Sequence, residues 1–75
     1  MPTLKAQLGS AKAQLTQSLY HIGKASQQIS RTLGKTGENE EAHRQLLLVR
    51  RMLRSLMGEL KGEYQVLEDI QEMIL

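Results

Sequence analysis

The sequence predicts an all-α chain folded as an antiparallel two-helix hairpin of coiled-coil type. Three observations predict it: two long stretches with apolar residues at three- and four-residue steps, one short glycine-containing break between them, and no proline after Pro2. At 75 residues there is room for one small domain, and the hairpin is read over all of 1–75.

In the first stretch Leu4, Leu8, Ala11, Leu15, Leu19, Ile22, Ile29 and Leu33 repeat with the period of an amphipathic helix, over about 4–33. Thr3 or Pro2 can open it, since proline suits a first helical turn and a threonine hydroxyl can cap one. The break is Gly34-Lys35-Thr36-Gly37 within a turn over 34–39. Gly34 is expected to end the helix in the left-handed conformation that glycine adopts without penalty. Thr36 or Asn39 then offers a side-chain oxygen as the next N-cap. Glu38, Glu40 and Glu41 put negative charge beside the exposed N–H groups of the new helix, which favours its start.

The second helix is expected over about 40–74. Gly58 and Gly62 each cost about 1 kcal/mol relative to alanine in a helix interior and mark where it would kink or fray. At 1.5 Å per residue the two helices would each be roughly 45–52 Å long, and so short a connection makes them antiparallel neighbours. Such pairing would bring Lys5 near Glu68, Asp69 and Glu72, and Lys12 near Glu59 or Glu63. Exposed pairs of that kind contribute about 0–1 kcal/mol each.

The apolar faces of the two helices differ in width. The large side chains of helix 1 fall within roughly 80° of a wheel turning about 100° per residue, and the positions between them are small: Ala11, Ser18, Ala25 and Ser26. Those of helix 2 sweep roughly 200°, where a helix packed on one core shows little more than about 100°. The expected hairpin seam is Leu8, Leu15, Ile22 and Ile29 against Leu46, Val49, Leu53, Leu56 and Leu60. Leu48, Met52, Val66, Ile70 and Met73 are then left on one free margin, and Met57 with Tyr64 on the other. Both margins are candidate partner-binding surface, because a large contiguous apolar patch in water marks an interaction site or an aggregation liability. A core this small offsets the cost of ordering the chain only to near zero. The hairpin is therefore expected to need either a second copy of itself or a different protein. Met52, Met57 and Met73 fit core filling and an adaptable partner surface equally well, since a thioether repacks readily.

Composition narrows the function classes. There is no cysteine, phenylalanine or tryptophan, and Tyr20 and Tyr64 are the only aromatic residues. Disulfides and thiolate metal sites are excluded. The longest apolar run, Leu46 to Val49, forms neither a membrane span nor a signal-peptide core, so no membrane insertion is expected. The net charge of +2 divides unevenly: residues 1–37 hold five bases and no acid, residues 38–75 eight acids and five bases. Such halves can attract each other, face different partners, or simply confer solubility.

Gly34-Lys35-Thr36 imitates the end of a phosphate-binding P-loop. That motif needs a glycine where this chain has Ile29, and a preceding strand rather than a helix, so a capping turn is the better reading. His21 and His43 lack a second ligand at metal-site spacing, and no nucleophilic triad can be assembled. The sequence reads as non-enzymatic, with no cofactor. Arg44, Arg50, Arg51 and Arg54, flanked by Lys61, form a basic stripe. A solvated face or an acidic protein partner suits it better than nucleic acid, given Glu68, Asp69 and Glu72 on the same face and no aromatic stacking platform.

The run Leu15-x-x-x-Leu19-x-x-Ile22 ending in Gln27-Gln28-Ile29, then Gly34-Lys35, a short Glu-rich stretch and Gln45-Leu46-Leu47-Leu48, resembles the small co-chaperones of bacterial type III secretion needle subunits, of the YscE/PscE/SsaE type. The resemblance covers roughly residues 15–67. It implies a helical hairpin in the bacterial cytoplasm that forms a heterodimer with a helical-repeat co-chaperone, and through it keeps the needle subunit soluble and unpolymerised before export. A structural coiled-coil subunit or adaptor of a multiprotein assembly is the alternative that the same features allow.

Overall fold

The fold, a computed structural model that describes residues 3–74, is a hairpin of two helices, α1 (Leu4–Leu33) and α2 (Glu40–Met73), with no strand among the described residues. Each helix starts at a side-chain cap. Thr3 accepts from the Ala6 N–H at 3.1 Å, and Asn39 accepts from the Ala42 N–H at 3.1 Å. Asn39 rather than Thr36 therefore caps α2, while Pro2, the other candidate for opening α1, lies outside the described residues. Glu40 and Glu41 occupy the first turn of α2, where the helix dipole favours them.

The turn corrects one expectation. Gly34 is right-handed (φ −68°, ψ −11°), and Gly37 is the residue at positive φ, 57°. The N–H groups of Gly34, Lys35 and Thr36 bond back to the carbonyls of Arg31, Thr32 and Leu33. Tight i→i−3 bonds of this kind satisfy the last carbonyls of α1 without a left-handed cap and carry the chain further along its axis. The left-handed residue is needed only where the chain then reverses. Gly37→Ala is accordingly expected to cost about 1 kcal/mol and lower the melting temperature by several degrees. A methyl group on Gly34 would meet only the Arg31 carbonyl oxygen, at 3.4 Å, so Gly34→Ala should leave the melt within a degree or two. Thermal circular dichroism of the two variants checks the contrast.

The late reversal also sets the register. Thr36 Oγ1 pairs with His43 Nδ1 at 3.0 Å near the turn, and Lys12 Nζ donates to Gln71 Oε1 at 2.9 Å near the open end. The Lys12 ammonium is thus held by Gln71 and lies over the Tyr64 ring. Among the described residues the expected pairs of Lys12 with Glu59 or Glu63, and of Lys5 with Glu68, Asp69 or Glu72, do not form. Among the described residues the one ion pair is Arg44–Glu41, 2.9 Å apart within α2 and well exposed. It is worth little.

α2 runs unbroken through Gly58 and Gly62, as Met57, Leu60 and Tyr64 keep that stretch half-buried against α1. Two helices side by side give an elongated body of 56 × 17 × 14 Å. Its interior is thin: among the described residues only Leu8, 9% exposed, is buried.

Candidate partner-binding face

The seam follows a heptad pattern on both helices. From α1 come Leu8, Lys12, Leu15, Leu19, Ile22, Ser26, Ile29 and Leu33; from α2 come Leu46, Arg50, Leu53, Met57, Leu60, Tyr64, Leu67 and Gln71. All are at least half-buried and alternate three- and four-residue steps, the spacing that keeps one face turned to a coiled-coil partner. Leu8, Leu15, Ile22, Ile29, Leu46, Leu53 and Leu60 are all among these inward positions.

Two seam expectations are corrected. Val49 and Leu56 are 40% and 41% exposed, one step around the helix, and Arg50 and Met57 take the inward positions. A charged residue at such a position lays its aliphatic stem over apolar surface and keeps its head in water. Arg50 lines a small recess with Leu47, Arg51 and Arg54. Met57 and Tyr64, expected on a free margin, are in the seam instead. Tyr64 packs beneath Lys12, whose ammonium lies 5.0 Å from the ring centroid, a cation–π contact at the open end. A polar layer of Lys12, Tyr64 and Gln71 favours one register, since sliding the helices would break the Lys12–Gln71 hydrogen bond and the contact with the Tyr64 ring.

With Val49 and Leu56 turned outward, α2 carries a second heptad stripe: Val49, Met52, Leu56, Glu59, Glu63, Val66, Ile70 and Met73. Sequence reasoning named its parts but divided them between seam and margin. The three–four alternation of the stripe was the available signal. Met52 is 62% exposed, Val66 56% and Met73 82%; Ile70 is half-buried at the edge, and Leu48 is exposed just beyond. A groove between the helices on this side is lined by Leu15, Glu59, Gly62, Glu63, Val66 and Leu67. Thr16 shares the opposite groove with Lys61, Leu19 and Tyr64. The α1 residues flanking the stripe are therefore Ala11, Ser18 and Ala25, whose small side chains leave space for another helix to approach. The other side of α2 holds Arg44, Arg51, Arg54 and Lys61 around Leu47. One side of α2 thus carries the apolar stripe, the other a mixed charged face of these bases with Glu68, Asp69 and Glu72.

No group of three or more His, Asp or Glu among the described residues could hold a metal ion. His43 faces Thr36 and Tyr20 stacks edge-on against His21, with ring centroids 5.5 Å apart. Among the described residues no helix is long and apolar enough to cross a membrane. Comparison of the chain with protein-family models, with curated proteins and with solved structures gives no match.

Proposed function

We propose that this chain is a partner-dependent, non-enzymatic helical hairpin acting as a co-chaperone. It would pair with a helical-repeat chaperone to keep a type III secretion needle subunit soluble and unpolymerised in the bacterial cytoplasm. The observation that carries the partner dependence is the outward apolar stripe of α2. The accessible surface supports it: 5869 Å², where a compact monomer of 8.5 kDa has about 4,700 Å². The excess, on the order of 1,200 Å², exceeds the roughly 800 Å² that one partner contributes to a standard stable interface. The choice of needle subunit as client rests on the sequence resemblance over roughly residues 15–67, since the stripe alone says only that another helix belongs there.

The continuity of the heptad over Val49–Met73 also suits a structural subunit or adaptor of a coiled-coil assembly, in which the stripe stays permanently covered. Affinity capture of the tagged full-length chain from its native cells separates the readings. Recovery of a helical-repeat protein in equimolar amount together with a needle subunit is the expected result. Recovery within a larger coiled-coil complex free of secretion components supports the adaptor. A purified chain that stays a folded monomer at micromolar concentration, and captures nothing, ends both.

A further inference from the structure

We propose that the Val49–Met73 stripe seats one amphipathic helix of a different protein, apolar toward both its ends and bearing Lys or Arg in the layers that meet Glu59 and Glu63. The inference rests on the reading above that a partner covers this face, and specifies the chemistry of the covering surface. From Val49 to Met73 the stripe is about 36 Å long at 1.5 Å per residue, so the occupant is a helix of roughly seven turns. Six of its eight positions are apolar. The two that are not, Glu59 and Glu63, are consecutive, sit at its centre and line the groove beside Leu15, Val66 and Leu67. Neither makes an ion pair among the described residues. A carboxylate covered by a partner must be paired or it costs heavily, so complementarity at this layer calls for cations.

The same two residues argue against a second copy as occupant. An antiparallel two-fold pairing of the stripe about its centre sets Glu59 against Glu63 of the other chain, twice. A parallel in-register pairing sets each glutamate against itself. Sliding by a heptad sets carboxylates against Met52, Leu56, Val66 or Ile70 instead. Nor can α1 of a second copy serve, although it is the basic helix. Its large apolar residues other than Leu4 and Tyr20 are committed to the seam, leaving no second stripe to offer.

Gly62 lines the same groove. A glycine inside a helix weakens it relative to alanine, and a Cβ at Gly62 would meet nothing within 4 Å in the hairpin. Packing within this chain does not call for glycine there. A helix settling into the groove that Gly62 lines would approach the backbone at that point.

The test uses the full chain and two synthetic 28-residue helical peptides. They share Leu and Ile at every heptad core position except two central ones, which are Lys in one peptide and Glu in the other. Titration by fluorescence anisotropy should show the Lys peptide binding at least about tenfold tighter. The double variant Glu59→Lys/Glu63→Lys should reverse the preference, and Val66→Asp should abolish binding of both while circular dichroism stays unchanged. Equal affinity for the two peptides, or a preference that survives the charge reversal, overturns the proposal. So does a dimer of the chain alone at neutral pH that neither peptide displaces. Neither peptide is a secretion protein, so the outcomes stay distinguishable. A Lys preference without any captured secretion component sinks the co-chaperone reading alone. A captured helical-repeat partner whose affinity ignores Glu59→Lys/Glu63→Lys sinks the charge inference alone.

Discussion

Leu53→Asp is expected to unfold the hairpin. Leu53 is half-buried midway along the seam, flanked on α2 by Arg50, Met57, Leu46 and Leu60. Removing its side chain forfeits about 2–3 kcal/mol of burial, and a carboxylate in its place adds a desolvation cost of similar size. A fold with a single buried side chain among its described residues holds little in reserve. Helical ellipticity at 222 nm should fall by about half or more, since neither helix buries its apolar face without the other. Leu53→Met, which keeps the volume, should retain the native signal within about 1.5 kcal/mol of stability. A cooperative melt near the native temperature for Leu53→Asp would show that the seam does not hold the helices together.

One residue away, Met52→Asp is expected to do the opposite, leaving the helices intact while partner binding falls about a hundredfold. Met52 is 62% exposed, and about 100° around the helix separates it from Leu53. In the free hairpin the new carboxylate stays in water and costs little. In the complex it would be desolvated among apolar side chains with no cation assigned to it, at roughly 2–4 kcal/mol. Unchanged circular dichroism with lost binding, measured against the captured partner, is the expected pair of results. If Met52→Asp and Leu53→Asp reduce helicity equally, the two faces do not divide the work.

Both helices, their N-terminal caps and the hairpin itself were legible in the sequence, because periodicity, Thr3, Asn39 and the glycine-bearing break all act locally. The lateral position of the seam was harder to read. Leu46, Leu53 and Leu60 fit two overlapping heptads, one completed by Val49 and Leu56, the other by Arg50, Met57 and Tyr64. Reading by polarity selects the first, since it keeps the arginine outside. The structure adopts the second, because a long basic side chain can lie along a narrow two-helix seam with its charge still solvated. Lys12 does the same on α1. Seams between only two helices leave every inward residue within reach of water, so polarity discriminates weakly there. The register was illegible for a different reason. It depends on how far three i→i−3 hydrogen bonds carry the chain before Gly37 reverses it, and composition does not report that distance.

The thinness of the interior bears on how long a molecule of this protein lasts. With only Leu8 buried among the described residues, opening of the hairpin costs little, and a protease cuts the opened chain in proportion to its population. A bound partner removes that population by mass action. On the proposed partnership, copies made in excess of the partner should be degraded faster than partnered copies. The cellular amount of the hairpin would then follow the supply of its partner, with stoichiometry maintained by turnover rather than by matched synthesis.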